Sequence, residues 1–372
     1  MSYWFWSKLY LYLCNTMTQS IQHQDTKLVF GTDLNDHINH ILKTEYSNCK
    51  KIIITDDVVF DIWSEDFISS IEELHHAEVI QLPTGEENKT IEICYQVWET
   101  LSDYKIGRND LIINFGGGVI TDMGGFIAST FKRGLRFINI PTTLLSQVDA
   151  SVGGKTGVDL GPLKNQIGVF SNPDHVFIDY KYLNTLEHKQ LVSGFAEMIK
   201  HGLIYSVSHW NNLNSVSGLT VDSISPFIYE SVNIKHEIVT KDPKEKGARK
   251  SLNFGHTIGH AIEGYLLEKG DTTAHGFAVA WGMLIESSIS HKKELITTEE
   301  FSTIEIFITT HFPECTISKL VIPDLIELMR NDKKNDSDYI NFSLLNGIGK
   351  CKINQVIDQN LISDTLREFL ID

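Results

Sequence analysis

The chain has 372 residues, a formal net charge of −16, 42% apolar residues and 22% charged residues. That length predicts two domains, and the charged fraction is that of a globular chain rather than a disordered one. So acidic a protein has no general attraction for nucleic acid or anionic lipid, and a phosphorylated ligand must be met by a local basic pocket. The five cysteines, Cys14, Cys49, Cys94, Cys315 and Cys351, are widely spaced and contain no CxxC. This excludes a disulfide framework or a thiolate zinc site and fits reduced thiols in a cytoplasmic protein.

The first residues read MSYWFWSKLYLYLC. They are too short to span a bilayer and lack a basic leader or a cleavage site. Residues 1–16 are therefore expected to be a non-native or disordered extension, with Met17 the natural start; a membrane-surface anchor is the alternative. No other stretch is a transmembrane candidate.

Short β-branched runs then alternate with helical patterns. The predicted strands are Lys51–Thr55, Glu78–Leu82, Asp110–Phe115, Arg136–Ile140 and His175–Asp179. Between the second and third, Ile91, Cys94, Val97, Trp98 and Leu101 recur at helical spacing. Strand, helix, strand in repeated order predicts an α/β domain over 17–180, Rossmann-like with a mostly parallel sheet. Beyond it come long helical patterns at Lys189–Tyr205, Pro226–Lys241, Gly255–Glu268 and Gly276–Lys293, and a possible strand pair near Tyr339–Ile353. Residues 181–372 are thus expected to form a mainly α-helical domain.

The third predicted strand runs into Gly116-Gly117-Gly118-Val119-Ile120-Thr121-Asp122-Met123-Gly124-Gly125. A buried strand ending in glycines before a helix is how a parallel sheet cradles phosphate, because backbone amides at the helix start face the ligand. A tight turn needing positive φ is the simpler reading. The loop departs from GxGxxG, since Thr121 stands at the third glycine position, and no ribose-binding acid follows at the usual distance. An ordinary Rossmann dehydrogenase is disfavoured.

The stretch from Pro141 to Gly157 is dense in hydroxyls, glycines and single charges, including Asp149 and Lys155; Lys164 and Asn165 follow. Small residues admit close backbone approach and lysines supply point charges for phosphate or carboxylate. Further on, Glu197 and Lys200 share a helix face, a pattern that also describes an ordinary surface ion pair. His256 and His260, at i and i+4, share another face, and His275 follows. Histidines so spaced suit a metal, but spacing alone does not choose which two bind it.

Taken together, GGGVITDMGGFIAST, RGLRFINIPTTLLSQVDASVGGKTGVD, PLKNQIGVF, SGFAEMIKHG, NFGHTIGHAIE, HGFAVAWGM and DKK resemble the 3-dehydroquinate synthase family over roughly residues 25 to 355. The resemblance implies an NAD-binding first domain and a metal- and substrate-binding second one. Its metal ligands would be Glu197, His256 and His275, holding Zn2+ or Co2+. NAD would be met by Thr84, Gly85, Glu86, Lys89, Gly117, Gly118, Val119, Ile120, Asp122, Thr142, Thr143, Asp149, Lys155, Lys164, Tyr182 and Thr185. The substrate would be met by Arg133, Lys155, Lys164, Asn165, Lys200, Lys235, Arg249, Asn253, His260 and the Lys333–Lys334 pair, Lys334 among the contacts. Lys155, Lys200, Lys235, Arg249, Asn253, His260 and Asp149 would carry the catalysis.

The implied reaction converts 3-deoxy-D-arabino-heptulosonate 7-phosphate to 3-dehydroquinate and phosphate, on the shikimate route to aromatic amino acids. It runs through transient oxidation by NAD, β-elimination of phosphate, re-reduction and aldol closure. The resemblance also implies a cytoplasmic homodimer that needs neither nucleic acid nor membrane. A sibling sugar-phosphate cyclase and a metal-dependent polyol dehydrogenase are the rival readings. One departure stands out: where the family often has HGEAVA, this chain has Phe277 in place of the acid.

Overall fold

Unbroken apolar strands dictate the first half of the architecture, seen in a computed structural model that describes residues 18–331 and 340–372 apart from 151, 162 and 272. The chain divides into two compact units, one ending at Leu186 and the other beginning at Glu187.

The first unit contains β1 (Gln19–His23), β2 (Thr26–Gly31), α1 (Asn35–Glu45), β3 (Lys51–Asp56), α2 (Asp57–Ser70), β4 (Glu78–Leu82), α3 (Ile91–Asp103), β5 (Leu111–Gly116), α4 (Gly118–Thr130), β6 (Arg136–Pro141), β7 (Lys155–Leu160), β8 (Leu163–Phe170) and β9 (His175–Asp179). Seven strands form one sheet in the order β1-β2-β9-β6-β5-β3-β4. All neighbours are parallel except β1 and β2, which are antiparallel. In β3, Ile52 and Ile54 join Cys94, Val97, Met123 and Ile127 on one face. Ile53 joins Ile38, Leu42 and Phe67 on the other. Successive side chains point to opposite faces, so a strand covered by helices on both sides must be apolar throughout. That is why these strands stand out in the sequence.

Four strands do not. β1 and β2 are joined at Gln24 and Asp25, with Gln24 at φ 51; no glycine or asparagine marks that turn. β7 and β8 form a separate antiparallel hairpin within a stretch whose glycines and hydroxyls read as loop. Gly124 and Gly125, which the glycine run made part of a phosphate cradle, are helical positions in α4. A Cβ on Gly124 would stand 2.0 Å from Asn114 Oδ1, and one on Gly125 would stand 2.5 Å from Thr156 Cγ2. They let α4 settle on β5 and β7.

The second unit contains α5 (His188–Tyr205), α6 (Val207–Asn214), α7 (Ile228–Lys241), α8 (His256–Glu268), α9 (His275–Lys292), α10 (Thr298–His311), α11 (Ile322–Asn331), the antiparallel pair β10 (Asn341–Leu345) and β11 (Cys351–Val356), and α12 (Gln359–Phe369). Pro226 falls in a separate 3-10 turn, Ser225–Phe227, ahead of α7. Ile258, Ile262, Trp281, Ile285, Leu325, Phe342 and Leu366 join α8, α9, α11, β10 and α12 in one core. Among the described residues no helix is long and apolar enough to cross a membrane.

A close helix crossing lies between α8 and α9. A Cβ on Gly282 would stand 2.0 Å from the carbonyl oxygen of Gly255 and 2.8 Å from the amide nitrogen of Gly259. Both contacts are to backbone, which does not move aside cheaply. Gly282→Ala is therefore expected to destabilise the protein by about 1–3 kcal/mol, the usual cost of overpacking, read as a lowered midpoint in urea unfolding.

Candidate active site

In the first unit the carboxyl ends of β5 and β6 bring two sequence motifs together. Gly117 is the N-cap of α4. The amide of Thr142 donates to the carbonyl of Gly116 at 3.0 Å, and a Cβ on Gly117 would stand 3.1 Å from Thr143 Cγ2. Gly117, Gly118, Thr142 and Thr143 thus adjoin at the strand ends, where parallel sheets hold ligands. Val119 and Ile120 follow in the first turn of α4, but the Ile120 side chain belongs to the core.

Lys89 gathers a second group. Its Nζ lies 2.8 Å from Asp122 Oδ2, 2.8 Å from Asn165 Oδ1 and 3.9 Å from Glu86 Oε1. Burial alone would depress its pKa, but Asp122 and Glu86 outweigh that and raise it, so the buried ammonium stays charged. Asp149 lies in a π-helical turn, Ser146–Ala150. Lys155, exposed, heads β7, and Lys164 lies in β8.

Other positions fit less directly. The Tyr182 ring is buried, edge-on to Trp63 and Phe115 at 5.1 Å each, and the Thr185 hydroxyl accepts from Trp63 Nε1 at 2.9 Å. Arg133 is exposed beyond the C-terminus of α4, about 20 Å along that helix from the glycine turn. Sequence reasoning sought a ribose-binding acid downstream of the glycines. Upstream of the glycines, two acids close β3 beside Thr84: Asp57 Oδ1 accepts from the Thr84 amide at 3.1 Å, and Asp56 Oδ1 lies 3.3 Å from the Thr84 hydroxyl. A polar pair closing an apolar strand, as Asp56-Asp57 closes KIIIT, is the signal that could have found them. Gly85 follows at φ 119.

The second unit brings together residues from three helices. Glu197 and Lys200 lie one turn apart on α5, in direct contact and both buried, so the surface ion-pair reading does not apply. His256 is the first residue of α8, His260 lies one turn on, and His275 is the first residue of α9. Glu197 Oε1 stands 3.6 Å from His256 Nε2 and 3.8 Å from His275 Nε2. Donor atoms of Glu197, His256 and His275 all lie within 4.8 Å of one another. Two ligands on one tetrahedral zinc, each about 2.0–2.1 Å from the metal, stand about 3.4 Å apart. The spacing fits a shared ion.

The orientation of the rings fits as well. His256 Nδ1 donates to the carbonyl of Phe254 at 3.2 Å, and His275 Nδ1 donates to Glu263 Oε2 at 3.1 Å. In the neutral rings that leaves the two Nε2 lone pairs facing Glu197. Burial alone would lower the pKa of His275, but Glu263 and Glu197 outweigh it and raise it to about 10. The field that favours a proton there equally favours a divalent cation. Glu263, seven residues beyond His256 on the same helix, escaped the sequence reading; carboxylate partners of metal-bound imidazoles are a recurrent feature. His260, Glu263 and His275 form an overlapping group.

The second unit also buries three of the cations expected at the site. Lys200, Lys235 and Arg249 are all buried, which is rare for such side chains. Arg249 NH1 donates to the carbonyl of Pro243 at 2.8 Å, and Asn253 Nδ2 donates to Glu245 Oε1 at 2.9 Å. Phe277, in the position where the family often has an acid, packs against the hydrophobic core with its ring 6.4 Å from Phe312. Lys333 and Lys334 lie outside the described residues.

Residues 79–193 match the 3-dehydroquinate synthase N-terminal family and residues 194–335 the 3-dehydroquinate synthase C-terminal family. The chain belongs to the 3-dehydroquinate synthase family. It is 42% identical over 301 residues to the 3-dehydroquinate synthase of Parabacteroides distasonis, covering 80% of this chain and 85% of that one. It is 36% identical over 351 residues to that of Thermoanaerobacter pseudethanolicus, covering 93% and 98%. Among solved structures, a 2-deoxy-scyllo-inosose synthase complexed with carbaglucose-6-phosphate, NAD+ and Co2+ superposes with TM-score 0.82 at 24% identity, over 95% of this chain and all of that one. A 2-epi-5-epi-valiolone synthase from Streptomyces hygroscopicus, with NAD+ and Zn2+ bound, gives 0.79 at 22% identity over 95% and 98%. These structures share the fold of this family member.

The Lys89–Asp122 pair is open to a direct test. Lys89→Met leaves Asp122 without its buried partner and is expected to cost about 3 kcal/mol. The double variant Lys89→Met/Asp122→Leu is expected to recover most of that loss. Urea unfolding of the three variants in this cycle, Asp122→Leu included, gives the coupling.

Proposed function

We propose that the chain converts 3-deoxy-D-arabino-heptulosonate 7-phosphate to 3-dehydroquinate and phosphate, using NAD and a divalent metal. The observation that carries this is the Glu197–His256–His275 donor set, with both Nε2 atoms turned to one carboxylate, in a chain of this family. The names and identities of its relatives support the same reading. Three O/N ligands leave positions open, as a catalytic rather than structural zinc requires.

Bound metal would polarise the vicinal hydroxyls of the substrate, and bound NAD would accept a hydride and return it within one turnover. Oxidation of the alcohol carbon acidifies its neighbour, and phosphate leaves by β-elimination; hydride return, ring opening and aldol closure follow. The chain's own part is to bind and to orient. Gly117, Gly118, Thr142 and Thr143 supply backbone amides and hydroxyls for the dinucleotide, with Thr84, Gly85, Glu86, Lys89 and Asp122 beside them.

Lys200, Lys235 and Arg249, buried and cationic, suit a substrate bearing both phosphate and carboxylate. Lys155, Lys164 and Asn165 would add further charge and hydrogen bonds, while Arg133, exposed beyond α4, stands apart from them. His260, beside His256 with ring centroids 5.0 Å apart, and Asn253 would contact the substrate. Asp149 would serve near the nicotinamide and the reacting hydroxyls. Holding these groups in place can supply much of the barrier reduction. A cytoplasmic homodimer belongs to the same reading.

The test is phosphate release from 3-deoxy-D-arabino-heptulosonate 7-phosphate with zinc and catalytic NAD, followed alongside NADH absorbance. Phosphate release without net NADH, abolished by a chelator, is expected. Net NADH would instead mark a dehydrogenase, and no release would mark a sibling substrate. Lys155→Ala and His275→Ala are each expected to abolish turnover while the far-ultraviolet circular dichroism stays unchanged; near-normal activity would remove that residue from the site.

A further inference from the structure

The three helices that carry the metal-ligand candidates are tied to one another by groups outside the ligand set. From α8, Glu263 Oε2 accepts from His275 Nδ1 at 3.1 Å, reaching across to the first residue of α9. From α9, Glu286 reaches back to α8. Its Oε2 accepts the Gly255 amide at 2.7 Å and its Oε1 accepts the Ile258 amide at 3.1 Å. Those amides bracket His256, at a helix start where backbone N–H groups otherwise lack partners. Glu286 is fully buried, so the two bonds fix the height of α8 against α9 with no competition from water. The third helix, α5, joins through Ser193, whose hydroxyl accepts the Gly276 amide at 2.9 Å.

We infer that Glu263 and Glu286 are a crossed pair of positioning residues that preset the metal centre: each helix lends a carboxylate to the start of the other, Glu263 to the His275 imidazole and Glu286 to the amides on either side of His256. Neither carboxylate is itself a ligand in this assignment. Glu263 fixes the tautomer and the ring plane of His275. Glu286 fixes the backbone on either side of His256. The inference rests on the metal reading above and adds to it that metal affinity and geometry are set by residues behind the ligands. Partners of this kind commonly govern metal affinity by about 10–100-fold.

Metal-free full-length protein, titrated with Co2+ and followed through the visible ligand-field bands, tests this without reference to turnover. Glu263→Gln keeps the shape but can place an amide against the imidazole N–H. Glu286→Gln keeps the shape but replaces one of two acceptors with a donor. Each is expected to weaken Co2+ binding about 10–100-fold and to shift the band at saturating metal, with unchanged far-ultraviolet circular dichroism. A purely structural role would lower the melting temperature and leave the saturated spectrum alone, which would overturn the inference, as would wild-type affinity in both variants. Should Glu286→Gln fail to fold, Glu286→Asp retains the charge but cannot span both amides, and it must show the same shift; a wild-type spectrum there overturns the role of Glu286. Absence of Co2+ binding by the wild-type chain would overturn the metal reading instead.

Discussion

The close crossing of α8 and α9 is the constraint on which the Glu197–His256–His275 cluster depends. His256 opens one helix and His275 the other, so any shift between the helices moves one imidazole relative to its partner by the same amount. The crossing is as tight as backbone allows, with Gly282 against the Gly255 carbonyl. Glycine at that point is less a preference than a requirement, since the smallest side chain would overlap main-chain atoms. Below the crossing, Ile258, Ile262, Trp281 and Ile285 bury the shared face, so packing holds the helices together and hydrogen bonds decide their register.

The first unit solves a different problem. The residues proposed to meet the dinucleotide are mostly backbone and small side chains, which can come close to such a ligand but hold little charge. The charge comes from Lys89, kept ionised in a buried position by Asp122 and Glu86. Lys89 and Asn165 meet although 76 residues separate them, because the β7–β8 hairpin packs against α4 and returns Asn165 to the same place. Asn165 has φ 52, a left-handed conformation that asparagine tolerates better than most residues.

How much of this could be read from the sequence follows from the physics of each element. The parallel strands were legible because burial on both faces forces an uninterrupted apolar run, as in KIIIT and LIINF. The helices α5, α7, α8 and α9 were legible as long helical patterns, whereas α2 and α10, of comparable length, were not. The β1–β2 hairpin was not, because neither Gln24 nor Asp25 is a characteristic hairpin residue. Nor were β7 and β8, whose glycines and polar residues imitate a loop. At the site, the histidine spacing showed that a metal was chemically reasonable but not which rings would face it. That depends on what each Nδ1 donates to, and Phe254 O and Glu263 are set by three-dimensional packing. The positions of Lys200, Lys235 and Arg249 were legible as residues, but their burial was not, and burial is what separates them from ordinary surface charges.

Because both imidazoles stand at the first position of a helix, two positive helix-dipole ends converge where Glu197, His256 and His275 meet. Aligned peptide dipoles place roughly half a positive charge at each such end. A bare dication is opposed by that potential, and the carboxylates of Glu197, Glu263 and Glu286 offset it. The same potential works the other way on negative charge. At the start of α8 it is already met by Glu286, whose carboxylate takes the Gly255 and Ile258 amides, so helix end and counter-charge form one preset unit.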